Sequence, residues 1–370
     1  MDFSFSEEQK TVGKVARQLF EARATPEHLT ELETRDVRHD AALWRELASS
    51  DLLGIALPEA VGGSGGSFLE LGVLLSETGR SVAPAPVYAT LLLGADTIAR
   101  HGSSAVQQEY LPAVANGSRI LTAALAESGR SDVMTPGTLA RRDGQNWRLD
   151  GSKELVPAAQ LADAIIVAAT TDDGPALFLL DKGAEGVDIR PVRTTNGEPF
   201  ADVILAGAVV PETHRLGDGG DPVGSLHTRA LVGLATMQVG VTERALRLAA
   251  SYTSEREQFG RPIGSFQAVQ QRMADAFIDV EAIRWTAWHA AWLIAEGRPA
   301  QREAAIAKFW AAEAGARVTA TAQQVHGGMG IDITYPLSRY FLWAKQIELS
   351  LGSASQQLAR LGSAYAEGNQ

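Results

Sequence analysis

Apolar residues recur at helical spacing from the start of the chain. Val12, Val15, Ala16, Leu19 and Phe20 share one face, and the segment opens on Ser6-Glu-Glu-Gln9, where Ser and Gln stand three apart as in a capping box. Residues 41–53 form a second amphipathic period that stops at Gly54. The run Pro58-Glu-Ala-Val-Gly-Gly-Ser-Gly-Gly66 is too rich in glycine to be helix. It lacks Gly-Lys-Ser/Thr and a strand-turn-helix frame, so a plain connector is expected rather than a phosphate loop. From about 118 the period shortens. Strand-like pieces are expected at 120–126, 146–149, 164–169, 176–180, 187–191 and 203–209, parted by turns such as Arg142-Asp-Gly-Gln145 and Thr171-Asp-Asp-Gly174. Beyond 225 long Ala-rich helical periods return at 230–255, 265–296, 302–326 and 335–364, enough for a four-helix bundle. The expected chain is mainly α with a central β domain. Its expected divisions are 1–117 helical, 118–225 β and barrel-like, and 226–370 bundle.

Composition narrows the function. A chain of 370 residues, 45% hydrophobic, buries a large core in more than one domain. A net charge of -11 argues against nucleic acid, which needs a basic face. The absence of cysteine excludes disulfides, thiolate catalysis and Cys-ligated metal, and the seven histidines show no HxH or HxxxH spacing. The first ten residues lack the basic start and apolar core of a signal peptide, and no apolar run reaches the roughly 20 residues of a membrane span. A soluble, cytoplasmic protein is expected.

Two stretches carry chemistry. One is Arg256-Glu-Gln-Phe-Gly-Arg-Pro-Ile-Gly-Ser-Phe-Gln267; the other is Gln324-Val-His-Gly-Gly-Met-Gly330. Taken singly, Arg256 reads as a surface ion pair, Phe259 and Phe266 as core, and Gly327-Gly328 as a helix stop. Taken together, with Phe3-x-Phe-Ser-Glu-Glu-Gln, Leu57-Pro-Glu-x-x-Gly-Gly63, Glu77-x-Gly-Arg80 and Tyr252, they make the whole chain resemble the acyl-CoA dehydrogenase family.

The resemblance implies FAD, a tetramer built as a dimer of dimers, and α,β-dehydrogenation of an acyl-CoA thioester. In that chemistry a glutamate removes an α-proton while the β-hydride passes to flavin. It also implies that Arg256, Phe259, Gln267, Gln324, Gly327 and Gly328 reach the ADP portion of a neighbour's FAD. The residue types suit the task. A permanent guanidinium charge fits a pyrophosphate, and paired glycines let backbone approach closely. An electron-transfer flavoprotein is a candidate electron acceptor.

The departures from the family pattern are as informative. The position of the family's glutamate aligns with Leu351, in Lys345-Gln-Ile-Glu-Leu-Ser-Leu-Gly-Ser353, so no catalytic residue is expected there. The alternative base position falls at Ala230. The nearest carboxylates are Glu243 and Glu348, the latter expected one helical turn from Leu351. The flavin-ring segments are eroded to Ala126-Glu-Ser-Gly-Arg-Ser-Asp132 and Gly151-Ser-Lys-Glu-Leu-Val-Pro-Ala158. There Glu154 sets a charge beside an apolar platform, and Pro157 offers neither hydroxyl nor N–H. The pattern resembles the non-catalytic chain of heterotetrameric α2β2 enzymes of bacterial steroid side-chain oxidation, partnered by a homologous catalytic subunit. The alternatives are an active homotetramer using Glu348 or Glu243 and a non-enzymatic scaffold that retains only the fold.

Overall fold

A computed structural model describes residues 4–130, 132–217, 219–366 and 368. Phe3 and Ser131, quoted above within motifs, lie outside the described residues. The chain divides into two compact units, one formed by the residues up to Thr34, Gly72–Ala83 and the chain from Leu231, the other by Arg35–Leu71 and Pro84–Ala230.

Ahead of the sheet come α1 (Glu7–Arg23), α2 (Pro26–Glu33), α3 (Ala41–Ser49) and α4 (Phe68–Ser81), a π-helical segment Tyr88–Asp96, then α5 (Thr97–His101) and α6 (Ser104–Ala115). The capping box at Ser6 forms as the spacing predicts, with both the side-chain and backbone bonds to Gln9 present. The glycine-rich stretch after Pro58 holds only a short 3-10 turn, Glu59–Val61.

The sheet comprises β1 (Leu121–Ala124), β2 (Leu139–Asp143), β3 (Asn146–Pro157), β4 (Ala164–Thr171), β5 (Gly174–Asp181), β6 (Val187–Val192), β7 (Phe200–Pro211) and β8 (Arg215–Leu216). Its order is β6-β7-β3-β2-β4-β5-β8, with β1 pairing β4 off that path. The path does not close, so the barrel-like expectation becomes an open, largely antiparallel sheet. The two predicted turns are hairpins: Asp143 pairs Asn146 and Thr171 pairs Gly174. Leu149, Ile165, Val167, Phe178, Val203 and Val210 are fully buried in one core.

The remaining elements are α7 (Pro222–Glu255), a two-stranded hairpin β9 (Glu257–Gln258) and β10 (Arg261–Pro262), α8 (Gln267–Ala295), α9 (Gln301–His326), α10 (Leu337–Leu349) and α11 (Ala354–Ala366). Helix α7 begins before the predicted 230. The long period expected over 335–364 is two helices, because the chain breaks at residues 350–353. In the first unit α4 and α7 approach closely at Gly240, where an added Cβ would stand 1.9 Å from the carbonyl oxygen of Ser76. Among the described residues no helix is long and apolar enough to cross a membrane.

Candidate cofactor-facing site

The first signature folds as a hairpin springing from the end of α7. Gln258 pairs Arg261 and Glu257 pairs Pro262, leaving Phe259 and Gly260 at the tip. Both tip residues have positive φ, 55° and 74°, as the twist of a two-residue hairpin demands. Glycine adopts this freely. A phenylalanine there is an outlier, and its ring is 92% exposed. The hairpin is nonetheless well tied: the Arg256 N–H donates to Tyr252 O at 2.8 Å, and the Ile263 N–H donates to Arg256 O at 2.8 Å. Phe259 meets Phe266 edge-on at 6.1 Å, and the Arg261 guanidinium lies 4.2 Å from the Phe266 ring centre. Arg256 is exposed and has no ion-pair partner among the described residues. By contrast, Arg284, Arg317 and Arg339 of the same unit are all paired to carboxylates.

The second signature ends α9. Gly327 caps the helix at φ 59° and ψ −133°, and its N–H returns to the carbonyls of Gln323 and Gln324. A Cβ built on Gly327 or Gly328 meets nothing within 4 Å, so the chain's own packing does not fill the space over this turn. Gln324 is exposed and lines a groove of about 870 Å³ between α8 and α9, together with Ala268, Arg272, Ala276, Ala320 and Thr321. Gln267, the first residue of α8, is exposed as well.

One histidine joins the two signatures. His326 is 3% exposed and stacks on Tyr252, ring centres 4.3 Å apart and planes at 24°. Its Nδ1 stands 2.7 Å from Ala322 O and its Nε2 3.1 Å from the Tyr335 hydroxyl. A carbonyl only accepts, so Nδ1 carries the proton and Nε2 accepts from Tyr335. Burial lowers the pKa of His326, which keeps the ring neutral despite the opposing pull of the Ala322 carbonyl.

Leu351 lies in the break between α10 and α11, beyond the helix that holds Glu348. The expectation that Glu348 sits one turn behind it on a common helix is therefore corrected. Leu351 has φ 54°, and Gly352 follows at 106°. The buried Lys308 ammonium fastens this turn, donating to Glu348 O at 3.0 Å and Gly352 O at 2.8 Å, while Gln357 Nε2 donates to Leu351 O at 3.0 Å. The Glu348 carboxylate accepts from Lys345 at 2.5 Å. Glu243 accepts from Arg284 Nη2 at 2.5 Å and lies 3.7 Å from Arg80.

In the second unit, Lys153 of β3 and Glu127, beyond β1, form a buried ion pair. Lys153, with no exposed side-chain surface, donates to Glu127 Oε1 at 2.6 Å. Glu127 also accepts from the Thr138 N–H at 2.9 Å, the Thr138 hydroxyl at 2.7 Å and the Gly137 N–H at 2.5 Å. Burial alone would raise its carboxyl, but the bonds from Lys153 and Thr138 outweigh it and hold the pKa at about 2. Beyond this pair β3 bulges between Lys153 and Val156. There the N–H groups are committed: Glu154 to Ala126 O at 2.9 Å, Leu155 to Asp202 at 3.0 Å, Ala158 to Pro199 O at 2.6 Å. Pro157 has none, and its carbonyl accepts from Thr122 at 2.6 Å.

Residues 6–118, 122–206 and 226–365 match in turn the N-terminal, middle and C-terminal domains of acyl-CoA dehydrogenase. The chain belongs to the acyl-CoA dehydrogenase family. It is 41% identical to acyl-CoA dehydrogenase FadE27 of Mycobacterium tuberculosis, over 99% of both chains. Among solved structures it is similar to a chain of the ChsE4-ChsE5 complex from Mycobacterium tuberculosis, 42% identical over 99% of each with a TM-score of 0.95. It is also similar to a chain of a Tcur3481-Tcur3483 steroid ACAD variant, 45% identical over 98% of each with a TM-score of 0.94.

Acyl-CoA dehydrogenases bind FAD, and the residues expected to meet its two halves differ in their fit. The residues expected to meet its ADP half fit it. Arg256 is an unpaired cation, Phe259 an exposed ring on a fixed tip, Gln324 a free amide over a groove, and Gly327-Gly328 an open backbone turn. The segment expected to meet the flavin ring does not fit, since the N–H groups of Glu154, Leu155 and Ala158 are already bonded to Ala126, Asp202 and Pro199 and Pro157 has none. Sequence reasoning missed Tyr252, His326 and Tyr335 as the framework of the first set. The signal was present, since each lies beside or within a signature, but a stack between residues 74 positions apart (252 and 326) leaves no local period. It also missed the partnership of Glu127 and Lys153, both of which stand in the eroded segments.

Proposed function

We propose that this chain is the non-catalytic subunit of a heterotetrameric acyl-CoA dehydrogenase, pairing with a homologous catalytic chain and completing that chain's FAD site. Arg256 supplies the fixed positive charge for the pyrophosphate, Phe259 an apolar face, and Gln267, Gln324, Gly327 and Gly328 amide and backbone contacts to the ADP half. When bound, FAD supplies the acceptor for the hydride leaving the substrate's β-carbon. This chain contributes no proton acceptor at Leu351, whose backbone position is held by Lys308 and Gln357 while its side chain is inert. The steroid-type, two-chain character of the solved relatives supports an acyl-CoA thioester of a steroid side chain as substrate class.

The observation that carries this reading is the contrast within one chain. The residues that would serve a neighbour's cofactor are fixed and unspent, whereas the N–H groups of Glu154, Leu155 and Ala158 are spent and Pro157 has none. The homotetramer with a displaced base has less support, because Glu243 and Glu348 are both taken up in ion pairs.

Flavin content and native mass test the proposal. Purified alone, the full chain is expected to be colourless or to carry far less than one FAD per chain. Co-expressed with a homologous acyl-CoA dehydrogenase that has the glutamate, it is expected to yield a mixed tetramer with one FAD per pair of chains. A yellow homotetramer of this chain alone, with one FAD per chain, overturns it.

A further inference from the structure

We infer that His326 is the positioning residue of the cofactor-facing site, a neutral bolt that sets the Arg256 hairpin and the Gly327-Gly328 turn in register with each other. This rests on the reading that Arg256 meets the ADP half of FAD.

The geometry places His326 where three elements meet. Its ring stacks on Tyr252 in the last turn of α7, and the Tyr252 carbonyl accepts the Arg256 N–H from which the hairpin departs. Its own backbone leads directly into Gly327. Its Nε2 takes the Tyr335 hydroxyl ahead of α10, and its Nδ1–H returns to Ala322 on α9. The ring thus uses both nitrogens and one face, and each contact restrains a different element. No aliphatic residue supplies a stacking face, a donor and an acceptor together. The charged and titratable groups around the cluster are Arg244, Tyr252 and Glu255 on α7 and Tyr335 itself. None is a carboxylate bonded to the ring, so the imidazole stays a neutral donor-acceptor.

On that reading a small displacement at this point matters because the Arg256 guanidinium and the Gly327-Gly328 turn would meet the ADP half together, and charge-assisted hydrogen bonds weaken steeply with misalignment. A residue that merely filled space would instead show its effect in global stability.

The test is a double-mutant cycle on the co-expressed complex of the full chain with a homologous catalytic acyl-CoA dehydrogenase, stripped of flavin and titrated with FAD by fluorescence. His326→Phe keeps the ring and its stack but removes both hydrogen bonds, and is expected to weaken FAD binding about 5-fold to 10-fold. Tyr335→Phe, which removes one hydroxyl and is the safer variant for folding, is expected to weaken it about 3-fold. His326→Phe and Arg256→Ala are expected to be non-additive, the double variant being little worse than Arg256→Ala. Additive effects, or His326→Phe and Tyr335→Phe both lowering the melting temperature with FAD affinity unchanged, overturn the role of His326 while leaving that of Arg256 intact. An unchanged affinity in Arg256→Ala overturns the underlying reading instead.

Discussion

Lys153 and Lys308 are both buried without exposed surface, and burial lowers the pKa of each, but different groups compensate the charge. Lys153 faces the Glu127 carboxylate; Lys308 faces two backbone carbonyls. Removing a charge from water costs several kcal/mol unless a counter-charge offsets it, and dipoles offset it only in part. Burial accordingly pushes the Lys308 ammonium down to about 7, with the charge of Glu348 opposing the shift. A free lysine titrates near 10.5, so between about 7 and 10.5 the unfolded chain holds the proton that the folded chain has released. Stability from this group is therefore greatest above 10.5 and lost as pH falls through about 7. Lys308→Met removes that dependence and leaves two carbonyls unsatisfied. The difference in denaturation midpoint between wild type and variant should widen from pH 7 to pH 10, by the order of a few kcal/mol. A constant difference would mean that folded Lys308 keeps its proton across this range, so that burial does not lower its pKa. Glu127 behaves conversely, since truncating it strands a buried ammonium at a cost of about 3–5 kcal/mol.

At the scale of the elements, the β9–β10 hairpin holds its tip ring almost wholly out of packing. Phe259 is 92% exposed, so its truncation forfeits almost no burial. Phe259→Ala should leave the melting temperature of the isolated chain within about a degree or two. In the complex the same change should loosen FAD severalfold, as read by flavin release on dilution. Equal flavin retention would make the tip an ornament of the turn. The hairpin form of this stretch was not read from the sequence, but its signature was legible there because it is local. So were the capping box at Ser6 and the two sheet hairpins. The second half of β3 was hidden, since Gly151, Glu154 and Pro157 read as loop, whereas pairing with β7 through two irregularities carries them. β2 was hidden for another reason: in Leu-Ala-Arg-Arg-Asp only Ala140 is buried, too little to show a period of two. The break after α10 did leave a trace. Gly352 precedes Ser353, whose N–H donates to Gln356 Oε1 at 2.7 Å, half of a capping box that marks a new helix. Likewise Asp221 ahead of Pro222 marks the true start of α7, with Asp221 accepting the Gly224 N–H at 2.8 Å.

At the scale of the whole molecule, the two features on which the proposed non-catalytic role rests fall in different compact units, Leu351 in one and residues 154–158 in the other. Two separate changes would have to be reversed to restore an autonomous enzyme, and that makes the single reversal diagnostic. Leu351→Glu puts a carboxylate on a turn already fixed by Lys308 and Gln357, so the expected base position gains an acceptor with its backbone kept in place. It does nothing for the N–H groups of Glu154, Leu155 and Ala158, which remain bonded to Ala126, Asp202 and Pro199. The isolated full-length variant should therefore bind no more FAD than wild type. It should also reduce no electron-accepting dye when supplied with acyl-CoA thioesters, steroid-type or straight-chain. Because a new carboxylate beside half-buried backbone is itself a burden, a parallel Leu351→Gln variant controls for folding by melting temperature. If Leu351→Glu alone becomes yellow and turns over substrate, the segment around Pro157 does hold a flavin ring. The asymmetry between what this chain offers a neighbour and what it keeps for itself would then vanish, leaving a homomeric dehydrogenase that had lost a single side chain.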